Sequence, residues 1–324
     1  MGFTWVDGER LIRFGEADVP ALLDSRGFDG YALLTTRRFR DHALAEGADV
    51  VALVGSGPVP EVSAAARREV GGRPVVALGG GRVIDSAKAI GAADSLPVAA
   101  VPTTLSGAEL TGFHRLPEGV EGVRLVRPSL VIADPGLMAS APMPLLAATA
   151  LNALAHAVEA LYTPLANPVA SMAALRGASS IASGLDGDGD PPREAREQLA
   201  LGALLAGYAS GQTGYAVHHV VCQTIVRVGG TPHAETNATM LPHTLRVMRG
   251  RAPDEIARVE EALGGADGAA RLASRAGVSG LRALGFDAAR VDDVVAAVMP
   301  RPELANTPDP LAEAELRAFV AGAL

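Results

Sequence analysis

The sequence predicts an α/β N-terminal domain followed by an all-helical C-terminal domain, and three observations carry that expectation. Short apolar runs alternate with helical stretches between Tyr31 and Ala133. Three consecutive glycines, Gly79 to Gly81, follow one of these runs and open a helix. After Asp134-Pro135 the β-branched runs stop, and the chain becomes Ala- and Leu-rich at helical spacing. With 324 residues the chain has room for two domains, expected at residues 1–137 and 138–324.

The apolar runs are Tyr31–Thr35, Val50–Val54, Pro74–Leu78, Pro97–Val101 and Leu130–Asp134. None alternates with polar residues, so each reads as a strand buried on both faces, the mark of a parallel sheet. Glu61–Val70 and Ile84–Ala93 supply crossover helices. This is the plan of a Rossmann-like, doubly wound nucleotide-binding domain. Aromatics make up only 4% of the chain against 48% hydrophobic residues, so Ala, Val and Leu must build the core. The acidic stretch Asp186 to Pro192 lacks the downstream Glu of a calcium loop and is read as a solvated connection.

In the glycine loop the backbone can approach a pyrophosphate, and the N–H groups of the first helical turn favour its negative charge. A tight strand-to-helix turn also selects glycine, which leaves both readings open for the loop alone. The next run ends in Pro102-Thr103-Thr104-Leu105-Ser106-Gly107, a hydroxyl-rich turn at the carboxyl end of a strand, where open α/β sheets bind ligands. Together these segments point to a dinucleotide held by Gly79, Gly80, Gly81, Thr103, Thr104 and Ser106. Asp85 would hold the loop or reach the ribose. Thr36 and Arg37 end the first run with no acidic residue for two ribose hydroxyls, and an arginine there suits a 2′-phosphate, so NAD and NADP both stand.

In the helical half, Asn152 and His156 are four residues apart, as are His219 and Gln223, and His233 and Asn237. On a helix each pair shares one face, so three elements can present polar groups to a single site. A lone histidine is more often a cap or a satisfied core residue; the repeated spacing beside a nucleotide loop favours catalysis. Cys222, between apolar neighbours, reads as a buried structural thiol.

In this order the motifs resemble the iron-containing alcohol dehydrogenase superfamily over nearly the whole chain. The glycine loop, Pro102-Thr103-Thr104, Asp134-Pro135, the helix Asn152 to Glu159, and Pro232-His233 through Pro242-His243 carry the resemblance. It implies a dehydroquinate synthase-like fold, a nicotinamide cofactor, an active site in the cleft between the domains, and a homodimer. In metal-dependent members an Asp and three His hold a divalent cation, at positions that here are Asn152, His156, His219 and His233. The Asn removes a charge, which weakens a site for a hard dication.

The maleylacetate reductase branch is similar in more detail, since its members also carry Asn in that helix and need not depend on a metal. They reduce a carbon–carbon double bond conjugated to a ketone with NADH or NADPH. Where that branch has Lys, His and His, this chain has Val220, Gln223 and Asn237, so cationic partners for a dianionic substrate are lost. Arg115, Arg124 and Arg127 are the nearest replacements, although surface roles suit them better.

The expectation is an NAD(P)-dependent reductase acting, without a required metal, on an enone or carbonyl of a less acidic or bulkier small substrate, in a specialised biosynthetic pathway. His156, His219 and His233 would be hydrogen-bond donors or the proton source, with Asn152 and Gln223 beside them. Three alternatives stay open: a metal-dependent alcohol or aldehyde dehydrogenase on the same three histidines, a homologue that has lost redox activity, and a sugar-phosphate cyclase. The cyclases share the two-domain plan but need basic phosphate contacts that the sequence lacks.

A net charge of −8 with no cluster of Lys and Arg argues against nucleic acid. A single cysteine excludes an internal disulfide and a thiolate cage. The N-terminus lacks a basic segment followed by an apolar run, and no stretch of about twenty residues is apolar throughout. A cytoplasmic protein with a small-molecule partner is expected.

Overall fold

The computed structural model describes residues 2–324. The chain divides into two compact units, with the boundary between Ser140 and Ala141.

In the first unit, strands β1 (Phe3–Asp7), β2 (Arg10–Phe14), β3 (Ala32–Thr35), β4 (Val50–Leu53), β5 (Val75–Gly79), β6 (Val98–Pro102) and β7 (Leu130–Ala133) form one sheet in the order β1-β2-β7-β6-β5-β3-β4. All neighbours are parallel except β1 and β2. Helices α1 (Val19–Ser25), α2 (Val59–Val70) and α3 (Gly81–Asp94) cover the sheet. Adjacent residues of one strand serve opposite cores: Leu34 packs with Ala66, Ile84 and Ile90, whereas Leu33 packs with Leu23, Phe28 and Leu130. This two-sided burial explains the unbroken apolar runs.

The hairpin β1–β2 was not among the expected strands. It is an edge element whose first strand alternates between half-buried and exposed positions, so it leaves only a weak apolar signal. Its turn did have a signal. Asp7 pairs with Arg10, so the loop is Gly8-Glu9, and a glycine at the first of two loop positions, here at φ +62, is a hairpin signal.

After the short helix α4 (Pro135–Met138), the second unit contains α5 (Met143–Glu159), α6 (Pro168–Gly184), α7 (Arg193–Thr213), α8 (Val217–Gly229), α9 (His233–Met248), α10 (Pro253–Ala262), α11 (Gly268–Ser274), α12 (Val291–Val298) and α13 (Glu313–Ala321). α5 is buried on nearly every face and packs against α6, α7 and α9. A helix apolar all round belongs in the centre of a bundle. α6 and α7 approach so closely that a Cβ on Gly202 would lie 2.7 Å from Ile181, and one on Gly177 3.0 Å from the Gly202 carbonyl. The acidic connection around Asp186 is pinned by Arg275 to the carbonyls of Gly187 and Gly189, and by an Arg196–Asp190 pair. Among the described residues no helix is long and apolar enough to cross a membrane.

Candidate active site

The expected nucleotide residues gather within the first unit. The order of strands in the sheet reverses beside β3: β4 lies on one side of it and β5 on the other, all parallel. The carboxyl ends of β3, β5 and β6 are therefore neighbours, with Thr35 opposite Leu78 and Gly79 opposite Pro102. Thr35 Oγ1 donates to the Leu78 carbonyl at 2.8 Å, and Thr103 N–H donates to the Gly79 carbonyl at 3.0 Å. Thr36 follows half-buried and Arg37 exposed.

The glycines are required by shape. A Cβ on Gly79 would lie 2.6 Å from Val83, one on Gly80 2.9 Å from Thr104, and one on Gly81 3.3 Å from Ser106. The loop and the hydroxyl-rich turn thus touch each other. Gly80 caps α3 without a side-chain hydrogen bond, which leaves first-turn N–H groups for an anion. The cradle fits a dinucleotide phosphate.

Below the loop, Lys88 is wholly buried. Its ammonium donates to the carbonyls of Ala108 (2.9 Å) and Phe113 (2.8 Å) and pairs with Asp85 at 2.7 Å. Asp85 therefore holds the start of α3 to the 108–113 turn. Glu109 is also wholly buried, and neither of its carboxyl oxygens has a hydrogen-bond partner among the described residues. Burial raises its pKa to about 7, against the lowering effect of the Lys88 charge. Arg115, Arg124 and Arg127 are exposed.

The histidines belong to the second unit. Glu159, in the last turn of α5, reaches the start of α8. Its Oε1 accepts from the backbone N–H groups of His218 (2.7 Å) and His219 (3.4 Å). Its Oε2 lies 2.6 Å from His219 Nδ1. His219 Nε2 is buried and has no partner among the described residues, and the same is true of Asn152 Oδ1. Burial pushes Glu159 up and His219 down to about 3, the latter also lowered by His233. Both shifts disfavour the charged form of the group concerned. When the pair holds two protons, as carboxylic acid with imidazole or carboxylate with imidazolium, His219 Nε2 carries a hydrogen; when it holds one, on Nδ1, Nε2 is an acceptor.

The other polar groups mostly hold one another. His156 stacks on His219, with ring centroids 4.0 Å apart and planes at 13°. His218 lies 2.7 Å from Thr244 Oγ1 and 3.0 Å from Asn237 Oδ1. Asn237 donates to the His233 carbonyl at 2.7 Å and sits 3.4 Å from its Nε2; His233 itself is exposed at the first position of α9. Cys222 Sγ is 3.6 Å from His218, and burial raises its thiol pKa well above the usual value. It is a core thiol. Gln223, one turn after His219, accepts at Oε1 from Arg301 at 3.0 Å.

Arg301 had no sequence signal, because it lies 78 residues from Gln223 in an ordinary charged connection. Tyr215 and Glu303 join it there. His219 was expected, but Glu159 as the group that orients it was legible only in part. The His-x-x-Glu spacing from His156 places Glu159 one turn on, without naming its partner.

A metal shared by His156 and His219 does not fit this arrangement. Imidazole lone pairs lie in the ring plane, and an ion about 2 Å from two of them must lie in both planes. Stacked rings with centroids 4.0 Å apart and planes at 13° have planes that do not meet at such a distance. Among the described residues no three His, Cys, Asp or Glu side chains are grouped to hold one ion.

A parallel α/β unit followed by a helical unit with a carboxylate–histidine cluster is also what comparison with known proteins finds. Residues 34–135 match the iron-containing alcohol dehydrogenase family, and residues 146–313 match the C-terminal part of the Fe-containing alcohol dehydrogenase family. The chain belongs to this family and is classed with its oxidoreductases. It is 34% identical to maleylacetate reductase of Delftia acidovorans over 260 residues, covering 75% of this chain and 74% of that one. It is 42% identical to maleylacetate reductase 1 of Rhodococcus opacus over 188 residues, 56% of this chain and about half (52%) of the Rhodococcus protein. The crystal structure of maleylacetate reductase from Agrobacterium tumefaciens superposes with a TM-score of 0.84 at 30% identity, covering 99% of this chain and 97% of that one.

Proposed function

We propose that the protein is an NAD(P)H-dependent reductase of the maleylacetate reductase type, which saturates an enone, or reduces a carbonyl, of a small substrate without a required metal. The observation that carries this reading is the Glu159–His219 pair, with its one outward nitrogen buried and unpartnered. A nicotinamide cofactor, when bound, supplies the hydride. The first unit contributes the glycine loop, the Thr103–Ser106 turn and the α3 N-terminus, which bind phosphate. Arg37 suits a 2′-phosphate and leaves NADPH as an alternative to NADH.

Hydride added to the electrophilic carbon leaves negative charge on the conjugated oxygen and its neighbouring carbon. His219 Nε2 donates its proton there, and the charge left on the pair is carried by the Glu159 carboxylate, whose Oε1 accepts two backbone N–H groups. A carboxylic acid in that pair passes its proton to Nδ1 as Nε2 loses its own, so the ring relays one proton. The barrier is lowered by donors already in place, with no Lewis acid. Asn152 adds a neutral group beside the histidines.

The test is a fluorescence titration with NADH and NADPH, followed by reduction of maleylacetate and uncharged enones before and after chelator treatment. Cofactor binding with turnover that survives chelation is the expected result. Failure to bind either cofactor sinks the reading, and turnover that depends on stoichiometric zinc or iron replaces it with the metal-dependent dehydrogenase.

A further inference from the structure

We infer that Gln223 reads an uncharged oxygen of the substrate, such as a ketone, ester or amide carbonyl, and that Arg301 is the residue that positions it. This assignment rests on the reductase reading. Arg301 brings a cation close to the histidines, yet that charge is already spoken for. Its Nε and Nη2 bond Glu303 at 3.4 and 3.2 Å, its Nη1 bonds the Val220 carbonyl at 3.3 Å, and Nη2 also reaches Tyr215 Oη at 3.4 Å. Tyr215 in turn donates to Glu303 at 3.0 Å. Although burial pushes Glu303 up, its bonds to Arg301 hold it below the usual carboxylate range. The carboxylate therefore stays ionised and cancels the guanidinium.

The orientation of Gln223 follows from the same contacts. A guanidinium only donates, so the oxygen of Gln223 faces Arg301 at 3.0 Å and its NH2 turns away. Gln223 is half-buried, and its one described hydrogen bond is the one its oxygen accepts from Arg301. Gln223 shares its helix face with His219 one turn earlier, and the Tyr215 ring lies 6.0 Å from the His219 ring. Beside the proton donor stands a fixed, neutral, two-hydrogen donor with an ionised Glu303 behind it. Such a group pairs well with a carbonyl. A carboxylate gains no net positive partner there and is repelled by Glu303.

The experiment compares maleylacetate with its monomethyl ester carrying the free acid at one end only. In the wild-type protein kcat/KM should favour an ester by about tenfold, the value of one discriminating hydrogen bond, and the difference should sit in KM. Glu303→Gln frees the Arg301 charge and should bring that ratio to one or below. Gln223→Leu should raise KM for the ester about tenfold and for the dianion less. A wild-type preference for the dianion, or a ratio unmoved in both variants, overturns the inference. Absence of any reduction overturns the reductase reading instead. Calorimetric titration with the saturated analogues, 3-oxoadipate and its monomethyl esters, then decides the specificity claim without turnover, on the same criterion.

Discussion

The glycine loop of the first unit and the histidine cluster of the second both crowd polar atoms into buried space, but they close that space differently. Around the loop the backbone does the work. Carbonyls of Ala108 and Phe113 hold Lys88; neighbouring Val83 and Thr104 leave no room for a Cβ on Gly79 or Gly80, and Ser106 would crowd one on Gly81. In the histidine cluster side chains hold side chains: Glu159 holds His219, Asn237 holds His218, Arg301 holds Gln223. What stays open differs accordingly. The loop offers N–H groups at a helix start, which suit any anion of the right size. The cluster offers two side-chain nitrogens, on His219 and Gln223, and one amide oxygen on Asn152. The first is therefore a site of shape, and the second a site of chemistry.

Four outcomes would sharpen or break that contrast. The largest belongs to chemistry: His219→Asn should lower kcat by about 10²–10⁴-fold, the range for a general acid, while titration shows nicotinamide affinity unchanged. An equal loss of cofactor affinity would erase the distinction. Next, Lys88→Met should cost about 3–5 kcal/mol in urea unfolding, because it leaves Asp85 and the carbonyls of Ala108, Thr111 and Phe113 without their buried donor; a loss under 1 kcal/mol would show that the loop does not depend on that anchor.

Glu109 gives the third. Its folded pKa of about 7 stands above the unfolded value of 4.5, so folding stability is full below pH 4.5 and declines as pH rises toward 7. The decline should reach about 3 kcal/mol at 1.36 kcal/mol per unit. Glu109→Gln should flatten that part of the profile, and a parallel slope in the variant would refute the assignment. Smallest is Gly80→Ala, which must push Thr104 aside at a cost of about 1–3 kcal/mol. Its signature is weaker nicotinamide binding with the kcat at saturating cofactor preserved.

The fold was legible where burial is two-sided. Strands β3, β5, β6 and β7 appear as unbroken apolar runs because Leu33 and Leu34, or Ala77 and Leu78, each face a separate core; β4 keeps an apolar run at the sheet edge, where Leu53 is exposed. The edge hairpin escaped because one of its strands alternates at half-burial, although Gly8-Glu9 marked its turn. In the site, spacing on single helices singled out His156, His219 and Gln223. The bonds that give these residues their roles span long separations: 60 residues from Glu159 to His219, 78 from Gln223 to Arg301. No local pattern encodes such a pair.

By itself, then, the sequence determined the order of the two units, the glycine loop with its neighbouring turn, and the residue types that the cluster contains. Periodicity and chain-local geometry suffice for those. Only the tertiary structure decided which nitrogen of His219 faces outward, that the rings of His156 and His219 stack too nearly parallel to share an ion, and that the charge of Arg301 is cancelled by Glu303. Those outcomes depend on hydrogen-bond direction and burial, which arise when distant segments meet in a low-dielectric interior.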